Sequence, residues 1–75
     1  MTDRIRAAIL DLALQRGRGK SLCPSEVAKA LAEDWRALMP EVRAVAAGMP
    51  EIVATQRGVA VDPVTARGPI RLRLR

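Results

Sequence analysis

Arginine is the side chain that gives this chain its chemical character. Eleven arginines and two lysines stand against eight acids, and the formal charge is +5. A guanidinium is always charged and presents a planar fork of donors that matches phosphate oxygens and the guanine edge. An Ala- and Arg-rich composition also follows from genome base composition, so the charge admits an anionic partner without identifying one. The usual catalytic groups are few. There is no His, and Cys23 is the single cysteine, which excludes an internal disulfide, a zinc site and a thiol–imidazole pair. A thiol at a helix N-terminus can be activated by the helix dipole, but with no base in view Cys23 reads as a small cap residue before Pro24. No Gly-rich phosphate loop follows a strand. The expectation is a non-enzymatic protein with no cofactor and no metal.

The cations are unevenly spread. Residues 1–25 hold five cations and two anions, residues 26–51 three and five, and residues 52–75 five and one, giving segments of +3, −2 and +4. The candidate nucleic-acid-binding residues are therefore Arg18 and Lys20 after the first helix, Arg57, Arg67, Arg71 and Arg73 in the C-terminal third, and Arg43 between them. Arg43 can pair bidentately with guanine or bridge to Glu41, Glu33 or Asp34, and the acidic balance of its segment favours the bridge. Trp35 is the only aromatic residue. It can stack on a base or serve as the packing centre of an otherwise aliphatic core, and packing is the expectation.

The elements that carry these residues follow from periodicity. Ile5, Ala8, Ile9, Leu12 and Ala13 recur at helical spacing, which predicts helix 1 over Asp3 to Arg16, ended by Gly17. Lys20-Ser21-Leu22 predicts a weak strand with one or two ladder pairs and Leu22 inward. Pro24 opens helix 2, which runs to Ala32, and Glu26 can reach back to the cap residue. Pro40 is expected at the first turn of helix 3, with Val42, Val45, Ala46 and Met49 inward and Glu41, Arg43, Ala44 and Ala47 outward. On that reading Ala32 to Met39 forms a long connector with room for a short helical turn.

After Pro50 the period turns extended. Ile52 to Gln56 and Val59 to Val61 flank an Arg57-Gly58 turn signal, and Val64 to Gly68 reads as a loop. In the last strand Ile70, Leu72 and Leu74 alternate with Arg71, Arg73 and Arg75, one face apolar and the other basic. No repeat or second domain is visible, so residues 1–75 read as one domain. At this size its core must offset an ordering cost of about 1.5 kcal/mol per residue, which leaves little room for a catalytic cleft. No run is long enough to span a membrane, and the start has no signal-peptide profile, so a cytoplasmic protein is expected.

The order of elements predicts an α+β, mostly helical fold: a winged helix-turn-helix with three helices and a C-terminal β-hairpin wing. The Pro24-Ser25-Glu26-Val27-Ala28 opening, Trp35-Arg36, Val42-Arg43 and Gly68-Pro69-Ile70-Arg71-Leu72-Arg73 resemble a small bacterial winged-helix family of unknown function, over nearly the whole chain. That resemblance implies the fold and brings no site residues. The wider winged helix-turn-helix superfamily implies DNA binding, with helix 3 in the major groove and the hairpin as wing.

Two functions remain open on these residues. One is binding of duplex DNA, mainly through backbone contacts by the basic wing, where four or five phosphate contacts give affinity a slope of roughly −4 against log salt. The other is a protein-interaction or homodimerisation module that uses the Ala-rich face of helix 3. For the wing itself, the alternative to phosphate contact is a solvated sheet face whose charges keep the edge from pairing with other chains.

Overall fold

The computed structural model describes all residues, Met1–Arg75. Three helices precede a three-stranded antiparallel sheet: α1 Thr2–Arg16, α2 Pro24–Leu31, α3 Trp35–Ala47, β1 Ile52–Gln56, β2 Val59–Ala60 and β3 Arg71–Leu74. The sheet order is β2-β1-β3, so the central strand is β1, and β3 returns beside it after the long loop that follows β2. This is a winged-helix-like α+β fold, as the element order predicts.

Helix α1 ends where expected. Gly17 takes a φ of 86°, a left-handed conformation that a Cβ would disfavour, and its N–H closes on the Ala13 carbonyl at 3.0 Å. The short segment after it makes one bridge, Leu22 to Leu72, through two reciprocal backbone bonds of 2.8 Å. Leu22 is fully buried, which matches the weak inward strand read from the sequence. Helix α2 starts at Pro24 behind an extended Cys23, and the Cys23 N–H donates to Glu26 Oε2 at 2.8 Å. The Glu26 carboxylate thus satisfies a backbone donor that would otherwise lack a partner at the helix start.

The third helix differs from expectation. It begins at Trp35, five residues before Pro40, and Pro40 lies inside it with its ring exposed. The connector from α2 is correspondingly short, Ala32 to Asp34, in place of the eight-residue link expected. Burial explains the earlier start. Trp35, Leu38, Met39, Val42, Val45 and Ala46 recur at spacings of three and four and pack on the core, so continuing the helix backwards covers apolar surface. Pro40 still lacks an N–H and crowds the carbonyl four residues before it, but near a helix N-terminus few bonds are lost. Glu41, expected outward, is exposed, but it stands mid-helix rather than in the first turn.

One cluster of thirteen buried apolar residues joins all three helices to the sheet, from Ile5 and Ile9 through Val27, Val42 and Met49 to Ile52, Ile70 and Leu72. Trp35 is not a member of it. The ring is half-buried at the edge, with Lys29 Nζ 4.6 Å and the Arg36 guanidinium 4.4 Å from its centre. The expected aromatic centre is thus a peripheral residue, and the core is aliphatic throughout. No helix is long and apolar enough to cross a membrane.

Candidate nucleic-acid interface

The hairpin that carries Arg57 is as tight as a hairpin allows. Thr55 pairs with Ala60 and Gln56 with Val59, leaving a two-residue turn in which Arg57 has φ 54° and Gly58 φ 82°. Left-handed conformation at both positions is the type I′ turn that suits the twist of the flanking strands. Glycine adopts it freely, whereas an arginine there sits in a region that L side chains disfavour. Arg57 is the only non-glycine residue of the chain with positive φ.

Residues 61–70 then form an ordered loop. The Val64 N–H donates to Asp62 Oδ1 at 2.8 Å and the Ala66 N–H to the Asp62 carbonyl at 2.9 Å, an Asx turn followed by a helical turn, while Pro63 is buried beneath it. Two side chains from elsewhere bind this loop. From α3, the Arg43 guanidinium donates to the carbonyls of Ala66 at 2.8 Å and Gly68 at 2.7 Å, with a longer contact to Pro63 at 3.4 Å. From β1, the Gln56 amide donates to the carbonyls of Arg67 at 2.5 Å and Pro69 at 3.1 Å. The wing loop is consequently held to both the helix and the sheet.

The remaining candidate cations divide into two groups. Arg71 donates through Nε to Ser21 Oγ at 2.9 Å and through Nη2 to the Ser21 carbonyl at 3.0 Å. Arg73 donates to the Leu74 carbonyl at 3.2 Å, and Arg18 to the Arg75 carbonyl at 2.7 Å. Arg75 itself reaches the carbonyls of Pro50 and Ile52. Arg71, Arg18 and Arg75 tie β3 and the chain end to neighbouring segments, whereas Arg73 bonds only within its own strand, so the outer face of β3 is less openly basic than its alternation suggests. By contrast Arg57 and Arg67 are exposed, donate no side-chain hydrogen bond and take no part in the one ion pair, which joins Arg16 to Glu26. They line one open groove together with Gln56, Gly68 and Pro69. Lys20 is also exposed and unpartnered, in the turn after α1.

Arg43 makes no bridge to Glu41, Glu33 or Asp34. Its structural partners are carbonyl oxygens of the loop, about twenty residues on in sequence. The outward side of α3 is then Arg36, Ala37, Pro40, Glu41, Ala44 and Ala47, all exposed, and its one cation, Arg36, lies over the Trp35 ring. The Arg16–Glu26 ion pair has an electrostatic signature: the hydrogen bond from Arg16 first, then that from the Cys23 N–H, holds the Glu26 carboxyl below its ordinary range, and Glu26 in turn raises Arg16.

The family model described as "Protein of unknown function (DUF3253)" matches residues 2–75. The chain belongs to this family. No curated protein matches it. The family description attaches no activity, so the reading of the site rests on the geometry above. In this family member the sequence marked the arginines but could not sort them. Gln56 was missed altogether as a site residue, because its partners lie eleven and thirteen residues away across a loop of irregular backbone.

Proposed function

We propose that this is a small non-enzymatic winged-helix module that binds nucleic acid mainly through the sugar-phosphate backbone, with the wing as its contact surface. One observation carries the reading: of the basic residues in the C-terminal third, Arg57 and Arg67 alone keep guanidiniums free of internal partners, and they share one side of the wing. Free, exposed cations are what phosphate neutralisation requires, and they give affinity without base reading. The helix that would occupy the major groove presents no free arginine, lysine, asparagine or glutamine on its outward side beyond Arg36, which lies on Trp35. Low sequence specificity follows.

Because Arg18, Arg71 and Arg73 are engaged with main-chain carbonyls, fewer phosphate contacts are expected than composition suggests, and the salt slope is shallower than roughly −4. Fluorescence anisotropy with a duplex, titrated at several salt concentrations, tests the proposal. Binding at low salt that weakens as salt rises supports it, and no binding at low salt ends it.

A second reading has its own observation. With Arg43 drawn into the wing loop, the outward face of α3 is mostly small side chains, with Ala37, Ala44 and Ala47 exposed beside one acid, Glu41, and one base, Arg36. Such a face lets another protein surface, including a second copy, approach the helix backbone closely. Sedimentation velocity at micromolar concentration separates the two: a monomer removes the homodimer.

A further inference from the structure

The geometry points to a single-phosphate site in the groove between Arg57 and Arg67, one in which both guanidiniums close on the same phosphate group. The inference rests on the nucleic-acid reading for its macromolecular ligand, but the site would take a free phosphate by the same chemistry.

Three features support it. First, the groove is lined by Gln56, Arg57, Arg67, Gly68 and Pro69, in which the proline ring is the one apolar side chain and there is no carboxylate. Two cations facing one polar space without a counter-ion favour an anion there, and a tetrahedral phosphate has enough oxygens to accept from two guanidinium forks at once. Second, the two arginines are held in relation to each other. Gln56, adjacent to Arg57, donates to the carbonyl of Arg67 itself, and Arg43 fixes the carbonyls on either side of it at Ala66 and Gly68. The backbone of the groove is thereby fixed before a ligand enters, and the ordering cost falls on the two arginine side chains. Third, Arg57 occupies a φ of 54°, where asparagine or glycine would satisfy the turn at lower cost. Strain retained in one side chain beside a charged groove is the pattern by which a ligand site shows itself in a backbone.

The source of the phosphate, a backbone diester or free inorganic phosphate, is resolved by experiment. Nitrogen-15 spectra of the full chain are recorded while inorganic phosphate is added against chloride at equal ionic strength, and again with a short duplex. Saturable shifts of the Gly58 and Gly68 amides and the Arg57 and Arg67 Nε signals are expected in both titrations, confined to these signals with inorganic phosphate, and Arg57→Asn, which keeps the turn, removes the phosphate shifts. Shifts that are absent, non-saturable or unchanged in Arg57→Asn and Arg67→Ala overturn the site.

The salt slope for duplex binding gives a second readout. If both arginines act on one phosphate, the double variant reduces the slope by about 0.9, and each single variant, which leaves the other guanidinium on that phosphate, reduces it by less. A double variant that loses about 1.8 means two separate phosphates, one for each arginine. That outcome overturns the shared site and leaves the nucleic-acid reading intact. Phosphate shifts without duplex binding do the opposite, retaining the site as one for a free phosphate and ending the nucleic-acid reading.

Discussion

The Arg43 guanidinium donates to the Gly68 carbonyl at 2.7 Å, across a separation of twenty-five residues, and this bond joins the third helix to the wing. With the companion bond to Ala66 it makes helix and loop one mechanical unit. Half-buried Arg43 is thereby committed to main-chain carbonyls of the loop. Its effect on any ligand is exerted through the position of Arg67, which lies between the two carbonyls it holds.

Replacing Arg43 with Ala is expected to cost about 1–3 kcal/mol, the range for hydrogen bonds from a charged group with carbonyls left unpaired. Lys recovers only part of this, because one ammonium cannot match three carbonyls on a fork. Hydrogen exchange checks the mechanism. The Ala66 amide, bonded to the Asp62 carbonyl, should lose protection well before core amides such as that of Leu72.

The turn at Arg57 gives a prediction in the opposite direction. Arg57→Asn places a residue suited to left-handed backbone at φ 54°, and thermal unfolding should show stabilisation of about 0.5–1 kcal/mol. The same variant is expected to weaken binding. A variant that gains stability while losing affinity identifies strain kept for function, and one that loses both shows that the arginine supports the turn.

The acid limb of stability belongs in part to Glu26. Its folded pKa lies below the unfolded value of about 4.3, chiefly through Arg16 and then the Cys23 N–H. A depressed carboxyl contributes stability that is complete above the unfolded value and is lost as pH falls through the folded one. Glu26→Gln keeps an acceptor for Cys23 but removes the charge. The difference in Tm between wild type and variant should therefore be present at pH 7 and shrink below about pH 4. Both side chains are roughly a third exposed, so the difference is small and salt-sensitive.

Trp35→Ala tests the peripheral position of the ring. A tryptophan at a core centre costs about 3–5 kcal/mol on truncation, whereas a half-buried ring with Lys29 and Arg36 against it should cost about 2 kcal/mol. Urea unfolding of the variant measures it. A loss at the upper figure would put the ring in the core after all.

How much of this was legible beforehand depends on the range of the interaction that decides each feature. Helix α1, the Leu22 bridge, the start of α2 and the alternating last strand were legible because local signals agree with burial: Gly17, Pro24 and the two periodicities point to the same elements as the core. Helix α3 was misread at its start because Pro40 is a strong local signal that packing overrides. The apolar series from Trp35 through Ala46 was present but interrupted by that proline. Trp35 was misplaced because size and rarity suggest a centre, whereas two flanking cations and a short connector keep it at the edge. The sorting of the arginines was not legible at all. Whether a guanidinium is free or bonded depends on carbonyls brought near by tertiary folding, as Arg43 with Gly68 and Arg71 with Ser21 show.

The central claim is that free wing arginines bind the nucleic-acid backbone, and the salt dependence of duplex affinity tests it most directly. Wild type, Arg57→Asn with Arg67→Ala, and Arg71→Ala are compared by anisotropy across a salt series. The account predicts that the wing variant binds more weakly and has a slope flatter by at least about 0.9, while Arg71→Ala, whose side chain is bound to Ser21, keeps the wild-type slope. A wing variant with unchanged affinity and slope, or a slope change confined to Arg71→Ala, would contradict it.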